Sequence, residues 1–392
     1  MSSNIQSPQI PLCIPSIKGR EWPYIKECLD TNWVSSAGPF VERFEHEFKD
    51  YLGINHSIAV SSGTSALHLA LIAAGVEPND EVIVSDLTFI APVNAIRYVG
   101  AWPILVDACN ESWGMNPSVV KTFINGSCET LNGYLHNKKS GRRIGAIIPV
   151  HILGHPVDLN PIVEIALDHG LPIIEDATES LGATYKGNKV GTIGQIGCFS
   201  FNGNKLLTTG GGGMAVCHDS VLASRIRHLS KQAKKDPVES IHDEIGFNYR
   251  LTNIQAAMGC AQLERINELL ASKKRIAQHY DLSFKPIPGI TPMPRTDWSQ
   301  SACWMYTVLI DSSVFGMDRH KVMQKLASAG IQTRPLWQPI QFSPAHDRAQ
   351  FIGGTVSQRL HNNALSLPCS PDISKIEQDR VIEMIKNCTL SS

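Results

Sequence analysis

The chain has 392 residues, of which 43% are hydrophobic and 18% charged, so it is long enough to bury a large core in two or three domains. Its formal net charge of -1 gives no indication of a nucleic-acid-binding surface, and its 10 scattered cysteines, none in a C-x-x-C pair, favour reduced thiols over a disulfide scaffold. No signal peptide is recognisable and no uncharged apolar run reaches the roughly 20 residues of a membrane helix, so we expect a soluble cytoplasmic protein without a membrane partner.

Short β-branched segments alternate with longer helical segments from about residue 55 to residue 215. The strand HSIAVSS leads into the helix GTSALHLALIAAG, and APVNAIRYVGA and DLNPIVEIALDHG also have helical spacing of apolar positions. Four further short apolar runs are bounded by turn residues: EVIVSD, PILVDA, GAIIPVH and PIIEDA. This alternation predicts βαβ units in a mostly parallel sheet covered on both faces. The closely spaced strands GCFSF and GMAVCH favour an antiparallel part of that sheet.

The pattern changes after about residue 252. One long helical run is predicted over residues 252–284, and the proline-rich segment PIPGITPMPRTD after it is predicted to be irregular. WMYTVLI is then predicted as a strand, RHKVMQKLASAG as a helix with a glycine cap, and IQTRPLW as extended. We therefore expect a large domain over residues 31–265, a small α+β domain over 266–392, and an N-terminal segment, 1–30, that packs on the small domain.

Two segments carry polar residues where strands hand over to helices. The segment 61–65, Ser-Ser-Gly-Thr-Ser, has the amides and hydroxyls that form a phosphate site at a helix N-terminus, although an ordinary helix cap explains it about equally well. Asp176 ends the apolar strand PIIEDA, and open α/β sheets bind ligands at the carboxyl ends of their strands. Taken alone, an acid at that place is more often a cap for the next helix.

A third segment places Lys205 in a compact turn after the strand GCFSF. Burial in such a turn would lower the pKa of the lysine and free its amine to attack a carbonyl group, whereas most lysines are solvated surface charges. The glycine run 210–213 matches neither G-x-G-x-x-G nor a P-loop, so it indicates a tight turn.

The order of the three segments is more informative than any one of them. A phosphate turn, an acid at a strand end and a lysine after a serine-bearing strand follow one another in fold-type I enzymes that use pyridoxal 5'-phosphate (PLP). In such enzymes the acid keeps the pyridine nitrogen protonated, and the ring then acts as an electron sink. The sequence therefore predicts an α/β, fold-type I PLP-dependent aminotransferase, with a mixed, mostly parallel sheet flanked by helices plus a smaller α+β C-terminal domain.

The chain resembles the DegT/DnrJ/EryC1/StrS family of sugar-nucleotide aminotransferases across nearly its full length. The resemblance rests on SSGTSALHLAL, NDEVIVSDLTFIAPVNAI, IIEDATESLGATY, GCFSFNGNKLLTTGGGGM and IGFNYRLTNIQAAMG. It implies PLP as the cofactor, a sugar nucleotide as the substrate, L-glutamate as the amino donor and a homodimer with shared active sites. We expect no metal ion.

The resemblance assigns roles around the cofactor ring. Lys205 corresponds to the lysine that holds PLP as a Schiff base, Asp176 to the partner of the pyridine nitrogen, and Phe89 to the aromatic residue stacked on the ring. Many members have Gln or His three residues after the aspartate, near the phenolic oxygen of the cofactor, but this chain has Glu179. A carboxylate would repel a phenolate, so we expect Glu179 to carry a proton or to hold a water molecule there.

The resemblance also assigns contacts to the cofactor phosphate. Gly63 and Thr64 correspond to the phosphate-binding turn, and Ser200 corresponds to the strand serine that reaches the same group. Asn248 corresponds to a residue that reaches the phosphate in the neighbouring subunit, which would make the homodimer necessary for activity. Arg250 lies in the same segment and is a candidate for substrate contact.

Two departures from the common family pattern resemble a narrower, LegC-like branch. They are Glu179 and Gly211, where many relatives have glutamate, and the segments IPSIKGREW, TNWVSSAGPFVERFE and GIQTRPLWQP resemble the same branch. Enzymes of this branch aminate C4 of a UDP-2-acetamido-2,6-dideoxy-4-keto-hexose for surface glycans, so we expect this substrate. A GDP-4-keto-6-deoxy sugar, as in perosamine synthesis, is the alternative. Trp33, Trp304 and Arg334 are candidates for substrate contact, although a structural role explains them equally well.

Three other functions agree less well with these residues. Related dehydratases that remove a sugar hydroxyl have histidine at the lysine position, so Lys205 argues against that activity. A non-catalytic regulator that binds a nucleotide sugar would keep the fold but would not hold PLP. A metal site is the weakest alternative, because His151 and His155 are separated by a glycine, no H-E-x-x-H motif occurs, and no third ligand is evident.

Overall fold

The computed structural model describes residues 9–236 and 238–389, so the first eight residues of the expected N-terminal segment lie outside it. The helices are α1 (Glu21–Asp30), α2 (Pro39–Leu52), α3 (Gly63–Ala73), α4 (Ala91–Tyr98), α5 (Pro117–Ser127), α6 (Leu159–His169), α7 (Ser220–Ser230), α8 (Asn253–Leu263), α9 (Ile266–Phe284), α10 (Ser312–Phe315), α11 (Arg319–Ser328), α12 (Val356–Asn363) and α13 (Lys375–Thr389). The strands are β1 (His56–Val60), β2 (Glu81–Ser85), β3 (Trp102–Val106), β4 (Cys128–Leu131), β5 (Tyr134–Asn137), β6 (Ile144–Ile148), β7 (Ile174–Asp176), β8 (Thr184–Tyr185), β9 (Asn188–Lys189), β10 (Ile196–Ser200), β11 (Gly213–Cys217), β12 (Lys234–Asp236), β13 (Ile241–His242), β14 (Ile290–Pro292), β15 (Ser299–Gln300), β16 (Tyr306–Ile310), β17 (Arg334–Pro335), β18 (Gln350–Ile352) and β19 (Ala364–Leu367).

Capping residues set several of these boundaries. Ser62 precedes α3, and its hydroxyl accepts a hydrogen bond from the amide of Ser65 at 3.0 Å. Thr252 and Gln255 form a capping box at the start of α8, in which each side chain bonds the backbone of the other. Gly53 ends α2 with φ = +75°, a conformation that glycine adopts without steric cost.

The central sheet is mixed and mostly parallel, as predicted. The ladders β1-β11-β10-β7 and β6-β2-β3-β18 join where Ile147 pairs with Ile173 and Val150 with Asp176, both in parallel. β7 runs parallel to β10, and β2, β3, β6 and β18 run parallel to one another, whereas β11 is antiparallel to both β1 and β10. The parallel strands therefore end along one edge, where open α/β sheets bind ligands.

Helices cover both faces of this sheet, and β10 shows how the side chains divide. Cys198 packs into the core shared with α3 on one face. Phe199 and Phe201 point into the other core, where their rings lie 5.3 Å from Phe48 and 5.2 Å from Phe44 of α2. Both faces of the strand are buried, which explains its continuous apolar sequence.

The C-terminal part of the chain forms a second, antiparallel sheet in the order β14-β16-β19-β17, packed against α9, α11 and α13. Ile10 pairs with Ile331 beside this sheet, whereas α1 packs against α8. β15 pairs with β8, and β18 completes the edge of the central sheet beside β3. Within residues 9–236 and 238–389, no helix combines the length and apolar character needed to cross a bilayer.

Two local predictions differ from the structure. The helical run over residues 252–284 is interrupted, because the amide of Arg265 donates to the carbonyl of Gln262 and closes α8 before α9 begins. Tertiary hydrogen bonds hold the junction: Tyr24 donates to the carboxylate of Glu264 at 2.6 Å. The proline-rich segment predicted to be irregular contains the short strand β14, which pairs with β16.

Candidate active site

Residues far apart in the chain meet in one cleft at the edge where β7 and β10 end. The cleft has a volume of about 320 Å³. The predicted site residues that line it are Gly63, Thr64, Phe89, Asp176, Glu179, Ser200, Lys205 and Trp304. Asp176 and Ser200 are the last residues of β7 and β10, and Gly63 and Thr64 begin α3. The sheet edge thus brings a helix N-terminus, a buried acid and a lysine together.

The start of α3 forms a site suited to a phosphate group. Gly63 lies so close to β10 that a Cβ atom built on it would be 2.8 Å from the Cβ of Ser200. The first amides of a helix have no intrahelical partner, and the helix dipole adds positive potential there. The amides at the start of α3 and the hydroxyls of Thr64 and Ser200 in the same cleft are the hydrogen-bond donors that a phosphate group requires.

Asp176 presents a buried carboxyl group to the cleft. It is 1% exposed, and its Oδ1 accepts a hydrogen bond from the amide of Thr178 at 3.1 Å. Burial raises its pKa above the ordinary value, and the hydrogen bonds from Thr178 only partly oppose this. A carboxylate buried to this degree needs a cationic partner, and a protonated pyridine nitrogen is such a partner. The acid therefore fits the expected cofactor.

A second buried acid, Glu175, ties β7 to residues 191–194, and no sequence pattern indicates this role. Its carboxylate accepts hydrogen bonds from Nε2 of His151 at 3.0 Å and from three amides of residues 191–194 at 2.6 to 2.7 Å. The amide of Val157 donates to Nδ1 of His151, so Nε2 carries the hydrogen. Burial opposes the charge of Glu175, but these donors lower its pKa overall. His151 thus has a structural partner.

Lys205 and Glu179 face each other inside the cleft. The Nζ of Lys205 lies 3.7 Å from Oε1 of Glu179, while Oε2 accepts a hydrogen bond from the amide of Leu153 at 2.8 Å. Burial raises the pKa of Glu179 to about 7, although the charge of Lys205 pulls it down. Burial also lowers the pKa of Lys205, against the attraction of Glu179 and Asp176. The two groups therefore favour each other's charged form, while burial opposes both charges.

Three aromatic side chains form one wall of the cleft. The rings of Trp304 and Trp337 are stacked, with centroids 6.3 Å apart and planes at 11°, and Phe89 meets Trp337 edge to face at 6.4 Å. Trp337 was not among the predicted site residues. A tether holds its segment, because Asp86 at the end of β2 accepts hydrogen bonds from the amide and side chain of Gln341 at 2.8 and 2.9 Å.

Four predicted residues do not line this cleft of the single chain. Asn248 is exposed and pairs with Lys231. Arg250 is largely buried, and within the described part of the chain its Nε and one terminal nitrogen have no hydrogen-bond partner. Trp33 is half exposed on the surface, and Arg334 is exposed on β17. None of the four touches Lys205 or Asp176 within the residues described.

Comparison with known proteins points to one family. Residues 15–386 match the model of the DegT/DnrJ/EryC1/StrS aminotransferase family. The chain is 38% identical to the GDP-perosamine synthase of Caulobacter vibrioides, covering 96% of this chain and 97% of that one. It is 37% identical to the GDP-perosamine synthase of Escherichia coli O157:H7, covering 96% and 97%. The crystal structure of S. venezuelae DesV in complex with a ketimine intermediate superposes with a TM-score of 0.86, at 28% identity, over 98% of this chain and all (100%) of that one.

Proposed function

The chain belongs to the DegT/DnrJ/EryC1/StrS aminotransferase family, and we propose that it moves an amino group from L-glutamate to the 4-keto group of a nucleotide-linked 6-deoxy sugar. As a member of this family it is a PLP-dependent enzyme acting on a sugar nucleotide. The observation that carries the proposal is the meeting of Lys205, Asp176 and the start of α3 in one cleft. These groups match the aldehyde, the ring nitrogen and the phosphate of PLP.

Each residue of the cleft would contact a different part of the cofactor. Bound PLP supplies an electron sink for the carbanion formed when an amino acid loses its α-proton. Asp176 would hold the ring nitrogen in its protonated form, and Gly63, Thr64 and Ser200 would hold the phosphate. Phe89 would cover one face of the ring. Together these contacts fix the orientation of the reacting bond.

Lys205 would act as the proton carrier of both half-reactions. Its amine must be neutral to remove a proton and charged to return it, and burial brings its pKa down towards that of a useful base. Glu179 lies 3.7 Å away, and burial raises its pKa to about 7, so it would hold a proton at moderately acidic pH and carry a charge at alkaline pH. A protonated Glu179 would avoid repulsion with a phenolate oxygen, which is one of the two arrangements predicted from the sequence, the other being a bound water molecule.

Two nucleotides are candidates for the substrate. The GDP-perosamine synthases at 38% and 37% identity favour a GDP-linked 4-keto-6-deoxy sugar, which we take as the first candidate. Glu179 and Gly211, which resemble the LegC-like branch, favour the UDP-linked 2-acetamido sugar. The stacked Trp304 and Trp337 give the cleft an apolar wall that suits a sugar face or a base in either case.

We further propose that two copies of the chain complete each other's sites. Asn248 is exposed outside its own cleft, and nearby Arg250 buries nitrogen atoms that find no partner within the described residues. Buried, unpaired guanidinium nitrogens are costly, so an acceptor from a second subunit would stabilise them. Analytical ultracentrifugation of the wild type and of Arg250→Met tests this: a wild-type monomer would refute it.

The proposed function is tested with the purified full-length protein. We expect the protein with PLP to absorb visible light and L-glutamate to bleach this absorbance. Borohydride should attach the cofactor covalently to Lys205, and peptide mass spectrometry should identify this adduct. Lys205→Ala should lose the trapped adduct and the activity, whereas Lys186→Ala, which removes a lysine outside the cleft, should keep both. Incubation with glutamate and a panel of GDP- and UDP-linked 4-keto sugars then identifies the aminated product. If the protein stays colourless with added PLP, the proposed aminotransferase function is refuted and a non-catalytic regulator that binds a sugar nucleotide is favoured.

A further inference from the structure

Trp304 stands between Lys205, which is partly exposed in the cleft, and the buried Lys273. On one side, the Nζ of Lys205 lies 3.8 Å from the centroid of the Trp304 ring. The indole Nε1 also donates a hydrogen bond at 2.8 Å to the carbonyl of Asn204, the residue before Lys205. On the other side, the Nζ of Lys273 donates a hydrogen bond to the backbone carbonyl of Trp304 at 2.8 Å. Trp304 itself is only 4% exposed.

Lys273 is a charged residue in the interior of the protein. It is 1% exposed, and its partners are the carbonyl of Trp304, the carbonyl of Cys369 at 2.5 Å, and the sulfur atoms of Cys13 at 3.4 Å and Cys369 at 3.6 Å. A buried ammonium group is costly unless its protons are satisfied. The hydrogen bonds of Lys273 satisfy these protons, and they connect the backbone of Trp304 to the N-terminal segment at Cys13 and to the segment after β19 at Cys369.

The contact between Lys205 and Trp304 favours the charged form of the lysine. The face of an indole ring attracts an ammonium group and is indifferent to a neutral amine, so it favours the charged form of the lysine. The other ionisable groups that face Lys205 are Glu179, Asp176 and Cys13, and all three also favour its charge. Burial opposes the charge and is the largest single effect.

Resting on the proposed role of Lys205, we propose that Trp304 holds the Lys205 ammonium group over the cleft whenever the lysine is not bonded to the cofactor, and that Lys273 is a positioning residue that fixes Trp304. The lysine is free in half of each catalytic cycle, when it must keep its place to return a proton. The indole face and Glu179 then hold the ammonium group from two sides. This differs from the direct sugar contact expected for Trp304 from the sequence.

The test measures the protonation of Lys205 itself. The full-length protein, with pyridoxamine 5'-phosphate bound and after its removal, is acetylated with a trace of acetic anhydride at a series of pH values. Mass spectrometry compares acetylation of Lys205 with that of Lys375, an exposed lysine in the same protein. Acetylation reports the neutral amine, so its midpoint gives the pH at which Lys205 loses its proton.

Trp304→Leu should lower this midpoint by about half to one and a half pH units, from the usual strength of a cation–π contact. Trp304→Phe, which keeps a weaker aromatic face, should fall between, and Trp22→Leu, an exposed tryptophan on α1, should leave the midpoint unchanged. Lys273→Met and Lys273→Gln both remove the charge of Lys273, but only Lys273→Gln keeps hydrogen-bond donors for the Trp304 carbonyl, so the midpoint should be lower in Lys273→Met than in Lys273→Gln.

An unchanged midpoint in folded Trp304→Leu and Trp304→Phe would overturn the proposal, above all if Trp304→Leu raised the KM for the sugar without lowering kcat. Equal midpoints in Lys273→Met and Lys273→Gln would remove Lys273 from the proposal. The two proposals can fail separately. If the protein aminates sugars but the Trp304 variants leave the midpoint unshifted, only the proposed role of Trp304 is refuted. If these variants shift the midpoint but the protein never takes up PLP, only the proposed function is refuted.

Discussion

Replacement of Glu179 by glutamine isolates the titration of one buried carboxyl group. Glu179 is 6% exposed, accepts one backbone hydrogen bond and lies 3.7 Å from the amine of Lys205. Glutamine has nearly the same shape and can accept the same hydrogen bond from Leu153, but it cannot ionise. The difference between wild type and Glu179→Gln therefore reports the charge alone.

The size of the effect follows from the pKa of about 7 in the folded chain against 4.5 for an ordinary glutamate. Between these two values the unfolded chain is ionised while the folded chain keeps its proton, so folding takes up a proton. The wild type consequently loses stability relative to Glu179→Gln as the pH rises through this window, and the loss levels off above it. A tenfold change in a dissociation constant is worth about 1.4 kcal/mol, so the full loss is about 3 kcal/mol, with about 2.5 kcal/mol of it between about pH 5 and pH 8.

Two measurements check this expectation in the cofactor-free protein. Urea unfolding of both proteins at several pH values gives the difference in the free energy of unfolding, in which titrating groups remote from Glu179 cancel and only Glu179 and its partner Lys205 contribute. Infrared difference spectra of wild type minus Glu179→Gln follow the protonated carboxyl band, whose midpoint gives the pKa directly. A free-energy difference that is flat across the window, or a band that titrates like an exposed glutamate, would refute the reasoning.

Three further changes in the site, the first with a matched control in α5, test its packing and charges. Gly63→Ala is expected to destabilise the protein by about 1–3 kcal/mol, since its Cβ would lie 2.8 Å from that of Ser200, whereas Gly126→Ala in α5, with no atom within 4 Å, should stabilise it by about 0.5–1 kcal/mol. Urea unfolding measures both, and equal effects would contradict the steric argument. Asp176→Asn should weaken PLP retention about 10- to 100-fold in equilibrium dialysis, by loss of a charge-assisted contact, and unchanged retention would exclude a partner role. Glu175→Gln should cost about 3 kcal/mol in the free energy of unfolding because its amide can satisfy fewer of the buried donors, and a loss below about 1 kcal/mol would show that they find other acceptors.

Local patterns in the sequence were sufficient to predict the strands of the central sheet. Strand β10 has both faces buried, and the continuous apolar run GCFSF reports this directly because each side chain in a strand meets one face or the other. The break between α8 and α9 could not be predicted in the same way. No proline or glycine stands at 264–265, and the junction is held by a hydrogen bond from Tyr24, more than two hundred residues earlier.

The same division holds for the cleft. The resemblance to the family named Lys205, Asp176 and the start of α3 by their order in the chain, and all of them line one cleft. Trp337 was missed, because its place beside Phe89 depends on the tether between Asp86 and Gln341 and on no pattern around Trp337 itself.

The sequence by itself determined which chemical groups this protein has, in what order, and which strands and helices carry them. It could not decide how those groups titrate. The pKa of Glu179 and the cation–π contact of Lys205 arise from burial and from neighbours such as Leu153 and Trp304, which reach the cleft from other parts of the chain. Only the tertiary structure sets these distances, because electrostatic energies depend on position and solvent exposure in space, while sequence patterns report burial within single elements.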